Sequence, residues 1–364
     1  MKNQKKIRVA MIGLEHPHIA AFASAIEAFP DDFERIGYAD VPGCDDTTDA
    51  ERFRTIGRHA DGVPYFEDWK KLLDENPDLV TVTTDNRSRG DICCEILSRG
   101  IPVLDEKPLA FDLADAVRMK ECADAHHTAV LCNWPIAWAA SFRKAKELCD
   151  AGRIGKVMRV VYRSPATWGP YSYRSDGTMQ SMEDKLRTWW YRADRGGGSI
   201  QDYACYGAML ATWIIGKRPL RVSAVKKNFC APGSDVEDYS AAILDFGDAV
   251  GLLDGSWSTF NPGEIPSGPV IYGTEGVIVC ERHDPRHLKL YTSRSHTPVP
   301  PEETFELGGI DPSRALGANL RDFIRGIAKP DEMLRADLNC SVVAVLTALS
   351  ESAHINRTVD VVQP

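Results

Sequence analysis

The sequence lacks the features that mark several large classes of protein. Its 364 residues carry a net charge of −9 and contain no long run of Lys and Arg, which argues against nucleic-acid binding. We find no stretch approaching the roughly 18 apolar residues that a membrane helix needs. The basic N-terminus precedes only Ile7–Ile12, an apolar run that is interrupted by Arg8 and too short for a secretion signal. We therefore expect a cytoplasmic protein.

Cysteine is present but forms no recognisable pattern. The chain has 10 cysteines, none of them in a Cys-x-x-Cys motif. A disulfide scaffold is typical of much shorter secreted chains, so we expect reduced, buried thiols. Histidine pairs such as His16 with His18 have no convincing third or fourth ligand in the sequence, so we predict no bound metal.

The chain is long enough to form more than one hydrophobic core. Of its 364 residues 43% are hydrophobic and 26% are charged, a composition typical of globular proteins. Residues 7–133 alternate between apolar strand-like runs and segments with helical periodicity. Such alternation predicts a parallel sheet with right-handed crossovers. We therefore predict an α/β domain with a parallel sheet over residues 1–133.

The pattern changes after residue 133. Longer strand-like runs follow one another there, and Phe246-Gly247-Asp248-Ala249 is a hairpin turn signal between two of them. Hairpin connections indicate an antiparallel sheet. We therefore predict that residues 134–364 form an α+β domain.

The stretch Val103-Leu104-Asp105-Glu106-Lys107-Pro108 is the most informative for function. Its apolar residues predict a short buried strand, which must end by Pro108 because proline cannot donate to a strand ladder. Lys107 then lies at the carboxyl end of that strand, where open α/β sheets place their ligands. A lysine there is either a salt-bridge partner or a catalytic group.

The turn after the first strand matches only part of the dinucleotide-binding pattern. Gly13 has the position of the first glycine, but Glu15 and His18 occupy the positions of the second and third. A carboxylate beside a pyrophosphate is unfavourable unless it points away or is paired, although the N–H groups of the following helix still offer an anion site. Asp40 ends the second strand, where it is either a solvated turn acid or an acceptor for the ribose hydroxyls. The second role favours NAD over NADP.

The run Gly196–Tyr206 contains an acid and a phenol after three consecutive glycines. Asp202 and Tyr206 are four residues apart and therefore share one face of a predicted helix. Such a pair is usually on the surface, but it can instead converge on Lys107. A lysine near a tyrosine lowers the pKa of the phenol and makes it a usable proton acceptor.

Five segments follow one another in an order and spacing typical of one family. They are Glu106–Pro108, Phe142–Val157, Gly196–Tyr206, Gly273–Gly276 and Asn319–Phe323. Through them the chain resembles, over nearly its whole length, the family of glucose-fructose oxidoreductase and inositol dehydrogenase, called GFO/IDH/MocA. The resemblance implies a dinucleotide-binding Rossmann domain over residues 1–133. It also implies that residues 134–364 form a domain for substrate binding and oligomerisation, with a large open, mostly antiparallel sheet. That sheet commonly packs against another subunit, which implies a homodimer or homotetramer.

The resemblance also implies catalytic roles. Lys107 matches the family's catalytic lysine, and Asp202 matches the acid four residues before the family's base. The base is commonly histidine, and here it is Tyr206, as in the glucose-fructose oxidoreductase branch. Thr83, Thr84 and Asn86 match the loop beside the nicotinamide ribose. The predicted cofactor-binding residues are Gly13, Glu15, His16, His18, Asp40, Thr83, Thr84, Asn86, Glu106 and Lys107.

Aromatic residues are concentrated between Tyr162 and Arg195. Aromatic faces beside arginines suit a polyhydroxylated ring, which has apolar C–H faces and polar edges, although packing within the protein is the alternative role. The predicted substrate-binding residues are Lys107, Trp168, Trp190, Arg192, Asp202 and Tyr206.

These expectations define a functional hypothesis. The chain is predicted to be an NAD(P)-dependent oxidoreductase that transfers hydride to or from a carbinol carbon of a sugar, inositol or related cyclic polyol, with NAD favoured over NADP. Tyr206 exchanges the hydroxyl proton, Lys107 tunes Tyr206 and binds the oxygen, and Asp202 orients the substrate or the base. Two alternatives stay open: a redox-neutral hydrolase or lyase that retains its NAD, and a non-catalytic ligand or nucleotide sensor.

Overall fold

Six short strands near the start of the chain form one parallel sheet. They are β1 (Ile7–Ile12), β2 (Phe33–Ala39), β3 (Tyr65–Phe66), β4 (Leu79–Val82), β5 (Val103–Glu106) and β6 (Val130–Asn133). Their spatial order, β3-β2-β1-β4-β5-β6, is that of the doubly wound dinucleotide-binding fold. The structure, a computed structural model, describes residues 5–43, 54, 56–165, 169–170, 178–260 and 266–363. Strands β4, β5 and β6 are buried at every position, as strands covered by helices on both faces are.

The helices that alternate with these strands are α1 (Ile19–Glu27), α2 (Trp69–Asp74), α3 (Arg89–Ser98) and α4 (Leu113–Ala125). Aspartate side chains cap two of them, because the first N–H groups of a helix have no partner within it. Asp68 accepts a hydrogen bond from the backbone N–H of Lys70, and Asp112 accepts one from that of Asp115. These caps fix where α2 and α4 begin.

The later part of the chain forms a nine-stranded mixed sheet. Its strands are β7 (Val157–Pro165), β8 (Arg221–Lys227), β9 (Tyr239–Asp245), β10 (Val250–Ser256), β11 (Val270–Gly273), β12 (Val277–Glu281), β13 (Asp284–Tyr291), β14 (Glu303–Glu306) and β15 (Val359–Asp360). The order is β14-β13-β12-β11-β7-β10-β9-β8-β15. Only β7 and β10 are parallel neighbours. The prediction of a parallel Rossmann sheet and a second, mostly antiparallel sheet is therefore confirmed.

Local turn chemistry explains the hairpin between β9 and β10. The N–H of Phe246 donates to the carbonyl of Ala249 at 2.9 Å, and Gly247 has a φ of +83°. Only glycine adopts this left-handed conformation without strain. The Asp245 carboxylate also accepts the N–H of Gly247 at 2.7 Å. The predicted hairpin turn is confirmed.

Two motifs that lie far apart in the sequence meet beside this sheet. The N–H of Lys156 donates to the Thr274 hydroxyl at 3.0 Å, and the N–H of Thr274 donates to the Lys156 carbonyl at 3.0 Å. A Cβ atom at Gly155 would lie 2.2 Å from the Thr274 oxygen, so a side chain at position 155 would break the contact. Gly155 is therefore required by packing, and so is Gly273, where a Cβ atom would lie 2.0 Å from the Ile154 carbonyl oxygen.

The remaining helices are α5 (Ala140–Asp150), α6 (Met182–Leu186), α7 (Cys205–Ile215), α8 (Pro312–Ile324) and α9 (Ala336–Ile355). The chain divides into two compact units. The first comprises Met1–Trp134, Glu183–Gly197 and Asp311–Cys340, and the second comprises Pro135–Met182, Gly198–Ile310 and Ser341–Pro364. The domain boundary that the sequence predicts between residues 133 and 134 stays a prediction.

Helix α8 illustrates why a late segment belongs to the first unit. It packs against α1, and Arg325 near its end forms an ion pair with Asp32 at 2.7 Å. At its start the Asp311 side chain accepts hydrogen bonds from the N–H groups of Ser313 and Arg314. Pro312, directly after this cap, has the fixed φ that suits the first turn of a helix.

Helix α9 corrects one expectation. By length and composition alone the helix could cross a membrane, because its most apolar 18-residue window has a mean hydropathy of 1.3. The sequence did not single out this segment because Asp337, Asn339 and Glu351 interrupt it. Within the structure 67% of its most apolar window is buried, as in the core helix of a folded domain.

The cysteines of the described chain are free thiols. Cys93, Cys132, Cys149, Cys205, Cys280 and Cys340 are buried, whereas Cys230 is exposed. Burial raises the pKa of the Cys149 thiol to about 12, so this group is an unreactive thiol at neutral pH.

Candidate functional site

The turn after β1 requires glycine at its first position. Gly13 has a φ of +91°, and a Cβ atom there would lie 2.7 Å from the Thr84 methyl group and 2.8 Å from the Thr83 carbonyl carbon. The Thr83 hydroxyl donates to the Gly13 carbonyl at 2.8 Å. The ends of β1 and β4 are therefore fixed to each other at the carboxyl edge of the parallel sheet.

The residues that replace the later glycines connect this turn to β5. His18, directly before α1, places its Nδ1 2.8 Å from the Glu106 carboxylate, whose side chain is fully buried. The backbone N–H of His18 donates to Nδ1 of His16 at 3.1 Å. Glu15 is also fully buried. The structure thus brings His16, His18 and Glu106 together, and their role in binding a cofactor stays a prediction.

His16 is a neutral imidazole. Burial, together with the neighbouring His18, Lys107 and Arg89, holds the pKa of His16 well below its ordinary value. Because Nδ1 accepts a hydrogen bond, the proton of the neutral ring is on Nε2. His16 can therefore donate a hydrogen bond to an oxygen atom without carrying charge.

The same three side chains have a spacing that could also suit a metal. Ligand atoms of His16, His18 and Glu106 all lie within 4.8 Å of one another. However, Nδ1 of His16 is already used as an acceptor, and Lys107 and Arg89 act as positive neighbours of its ring. A divalent cation would be repelled by these charges. The absence of a metal stays a prediction.

Arg89 shapes the loop that contains Lys107. It is fully buried, and its Nη1 donates to the carbonyls of Glu106 at 2.8 Å and Pro108 at 2.7 Å. Its Nη2 donates to the carbonyl of Thr84 at 2.8 Å. Lys107, which is only 3% exposed, lies between two of these carbonyls in the sequence. The guanidinium therefore holds the main chain on both sides of Lys107.

A carboxylate completes the environment of Arg89. Asp105 in β5 is fully buried, and its Oδ1 lies 3.3 Å from Nε of Arg89. Burial raises the pKa of Asp105, and the adjacent guanidinium opposes that rise. No local sequence pattern indicates this role of Arg89, because the carbonyls of Glu106 and Pro108 are 17 and 19 residues away along the chain.

Two other predicted cofactor residues lie at the same edge. Asp40 follows β2, is buried, and accepts the N–H of Val41 at 2.8 Å. Asn86 donates through Nδ2 to the Gly196 carbonyl at 2.8 Å. A Cβ atom at Gly196 would lie 2.9 Å from the Cβ of Asn86, which explains the first glycine of the run.

Two tryptophans cover the turn after β1. Trp189 and Trp190 stack with their ring centres 4.4 Å apart, and Trp190 lies 5.3 Å from the His16 ring. Trp190, predicted to contact substrate, is buried. Arg192 is partly exposed and forms an ion pair with Asp194 at 3.0 Å. Trp168 lies outside the described residues.

The second unit contains Asp202 and Tyr206. The spacing predicted a regular helix, but the structure has a π-helical turn over Ile200–Ala204 directly before α7. The Asp202 carboxylate accepts a hydrogen bond from Nε1 of Trp257 at 2.9 Å. Tyr206 is 4% exposed, and its ring lies 4.8 Å from the guanidinium carbon of Arg282. No sequence pattern around Trp257 or Arg282 indicated these contacts.

Two family models match most of the chain. Residues 7–134 match the model described as oxidoreductase family, NAD-binding Rossmann fold, and residues 142–279 match the GFO/IDH/MocA C-terminal domain. The two matches cover both sheets described above, apart from the last strands of the second.

The chain also resembles individual curated proteins, at 25% and 29% identity. The chain is 25% identical to the 1,5-anhydro-D-fructose reductase of Ensifer adhaerens over 57% of each chain. It is 29% identical to the dTDP-3,4-didehydro-2,6-dideoxy-alpha-D-glucose 3-reductase of Streptomyces violaceoruber, over 51% of this chain and 49% of that protein. The match therefore spans about half the length of these relatives.

Solved structures share the fold over nearly the whole chain. A levoglucosan dehydrogenase in complex with NADH and levoglucosan has a TM-score of 0.79 at 19% identity, covering 99% of this chain and 100% of that one. An aldose-aldose oxidoreductase from Caulobacter crescentus has a TM-score of 0.75 at 19% identity, covering 98% and 100%. The resemblance drawn from the sequence is confirmed: the chain belongs to the GFO/IDH/MocA family of oxidoreductases.

Proposed function

We propose that this protein is an NAD-dependent oxidoreductase that acts on a carbinol carbon of a sugar, inositol or related cyclic polyol. One observation carries the proposal. Lys107 is buried at the carboxyl end of β5, within the segment that matches the NAD-binding model, beside a carboxylate that His18 holds. Open α/β sheets bind their ligands at this edge.

The residues at this edge fit a dinucleotide. The Gly13 turn leaves no space for a side chain, as in folds where the backbone approaches a pyrophosphate. Asp40 is positioned after β2 to accept ribose hydroxyls, and its charge disfavours a 2′-phosphate, which supports NAD over NADP. When bound, NAD supplies a nicotinamide ring that takes or gives hydride. His16 is suited to donate through Nε2 to a cofactor oxygen.

Side chains of this protein transfer the proton of the substrate hydroxyl. Tyr206 exchanges the proton of the substrate hydroxyl, and Lys107 binds the hydroxyl oxygen and favours the phenolate. Asp202, which Trp257 holds by a hydrogen bond, orients the substrate or the base. Trp190 and Arg192 are proposed substrate contacts, and the place of Trp190 against His16 of the Gly13 turn supports this role.

The relatives support a sugar-like substrate, because the names of the two reductases given above describe sugar derivatives.

The second sheet supports a homodimer or homotetramer. Val225 and Ile243 on neighbouring strands are 49% and 51% exposed, which leaves apolar surface suited to a second copy. Sedimentation analysis measures the oligomeric state.

Two experiments test the proposal. Titration with NADH and with NADPH, followed by nicotinamide fluorescence, should show tighter binding of NADH. A panel of sugars and inositols with each cofactor should then identify a substrate. In Lys107→Met we expect turnover to fall by about 10²–10⁴-fold with the fold intact, as for loss of a proton-transfer group. The control is Lys70→Met, which removes an exposed lysine of α2.

The outcomes separate the alternatives. Retained turnover in Lys107→Met would remove Lys107 from the mechanism. NADH binding without turnover of any substrate would favour a sensor. Formation of a hydrolysis or elimination product without added NAD would favour a redox-neutral enzyme that retains its cofactor.

A further inference from the structure

A cation lies over the proposed proton-transfer group within the second unit. The guanidinium carbon of Arg282 is 4.8 Å from the ring centre of Tyr206 and 5.2 Å from that of Tyr203. The two rings meet edge to face, with centres 6.1 Å apart and planes at 66°. One cation therefore contacts two phenol rings that the π-helical turn and α7 present together.

Packing holds both partners in place. A Cβ atom at Gly255 would lie 2.6 Å from the Ala204 nitrogen, so β10 contacts the main chain of the turn between Tyr203 and Tyr206. On the other side, Arg282 directly follows β12. The carboxylate of the preceding Glu281 accepts the N–H of Ser267 at 2.9 Å and a bond from the Ser267 hydroxyl. The acid next to Arg282 in sequence is therefore engaged with Ser267.

The titratable groups of the second unit that act on Arg282 include Tyr206 itself, Tyr203, Asp202 and Tyr162. Arg282 lies after β12, Asp202 and Tyr203 lie on the turn, and Tyr162 is on β7. Strand β10, which is described throughout, faces α7 with Gly251, Leu253 and Gly255. Burial lowers the pKa of Arg282, but Tyr162, Tyr206, Tyr203 and Asp202 together raise it above its ordinary value.

A guanidinium over a phenol ring favours ionisation of the phenol. A neutral ring attracts a cation through its quadrupole, with about 0.5–2 kcal/mol. Phenolate carries a full negative charge that is delocalised into the ring, so its attraction to the same cation is larger. Asp202 opposes this effect as a like charge. The hydrogen bond from Trp257 spreads part of that charge.

We propose that Arg282 is a positioning residue that stabilises the phenolate form of Tyr206 by stacking on its ring. The proposal rests on the function proposed above, in which Tyr206 exchanges the substrate proton. It adds a source of positive charge that is independent of Lys107. Arg282 therefore acts on the base without touching the substrate.

The test is a spectrophotometric titration of tyrosinate in the unliganded protein. The difference between the native protein and Tyr206→Phe gives the titration curve of Tyr206 alone. The same difference is measured between Arg282→Gln and Arg282→Gln/Tyr206→Phe. We expect the midpoint of Tyr206 to rise by about one pH unit, a tenfold loss of phenolate at a given pH. Arg282→Lys, which keeps the charge but loses the flat stacking surface, should give a smaller rise.

The matched control is Arg159→Gln. The guanidinium of Arg159 lies 3.8 Å from the ring centre of Tyr272, on an exposed part of the sheet. Its removal should leave the Tyr206 midpoint unchanged. An unchanged midpoint in both Arg282→Gln and Arg282→Lys, with native circular dichroism, would overturn the proposal.

Kinetics distinguish this proposal from the proposed function. With a substrate in hand, Arg282→Gln should lower kcat near neutral pH and recover at high pH, with KM little changed. If the midpoint shifts but Tyr206→Phe turns over normally, the function assigned to Tyr206 fails while the effect of Arg282 stands. If kcat falls equally at all pH values without a shift in midpoint, the role of Arg282 is overturned.

Discussion

The two units each contain an arginine beside residues of the candidate site, and the two arginines have different partners: Arg89 is fully buried and Arg282 is half-buried. Arg89 in the first unit binds three backbone carbonyls and one carboxylate. Arg282 in the second lies on the faces of two tyrosine rings. Backbone carbonyls are fixed dipoles, so Arg89 determines the shape of the main chain around Lys107. Aromatic rings respond to charge, so Arg282 bears on the chemistry of a side chain.

This difference predicts different responses to mutation. Loss of Arg89 leaves several buried polar groups without their donor, which is costly because water cannot replace it. Loss of Arg282 removes a stacking partner, which changes a proton affinity more than it changes stability. The predictions below test this contrast and the packing around each arginine.

Arg89→Met should have the largest effect on stability. It leaves Asp105 as a buried carboxylate without its guanidinium, and breaking a buried pair in this way costs about 3–5 kcal/mol. Chemical denaturation of the unliganded protein measures the loss. Adding Asp105→Asn to this variant should restore part of the stability, because the unpaired charge is then removed.

The control for this variant is Arg87→Met, two residues earlier. Arg87 is 52% exposed and pairs with Asp112 at 3.3 Å. Exposed pairs contribute about 0–1 kcal/mol, so its loss should be small. Equal effects of the two substitutions would contradict the role assigned to Arg89.

Gly255→Ala should have an intermediate effect, located in the second unit. The added methyl group would lie 2.6 Å from the Ala204 nitrogen, so β10 and the π-helical turn must separate. Overpacking of this kind costs about 1–3 kcal/mol. Thermal denaturation measures it, and Gly308→Ala, where nothing lies within 4 Å, is the control. A fall in melting temperature no larger than that of the control would show that the turn accommodates the added methyl group.

His16→Asn should have the smallest effect and should show it only in acid. The unfolded chain takes up a proton at His16 near pH 6.5, whereas the folded protein resists protonation because its pKa is lowered. Stability from this group is therefore lost as the pH falls below about 6.5. When the pH is lowered from about 7.5 to about 5.5, His16 should lower the free energy of unfolding of the native protein by up to about 1.4 kcal/mol. The variant should not show this loss.

Denaturation at both pH values, with exposed His126→Asn as the control, tests this prediction. The same assay tests whether the positive charges of Lys107 and Arg89 help to keep His16 neutral. If the native protein and His16→Asn lose the same stability in acid, the imidazole of His16 is not held neutral.

Much of the first sheet could be predicted because its signals are local. Strand β4 is an almost continuous apolar run and β5 begins with Val103 and Leu104. The residues that follow these strands, Thr83 and Lys107, are at the sheet edge as expected. The second sheet was harder. Strand β13, Asp284–Tyr291, contains proline, arginine, histidine and lysine, and its pairing with β12 rather than its own pattern makes it a strand.

The candidate site was predictable to the same extent. Gly13 and Glu106 were found because strand ends and glycine turns are visible in the sequence. The roles of Arg89, Trp257 and Arg282 depend on partners distant in the chain, so no spacing indicates them. The π-helical turn was also missed, because an acid and a phenol four residues apart fit an ordinary helix equally well.

That turn has a consequence for how the chain tolerates change in length. A π-helical turn has one residue more than the α-helix it interrupts, so deletion of Tyr203 or Ala204 would restore an unbroken helix. Everything before the deletion would then rotate by about 100° relative to α7. Asp202 would lose its alignment with Trp257, although no side chain of either had been altered. The additional residue of the π-helical turn thus sets the direction in which the Asp202 carboxylate points.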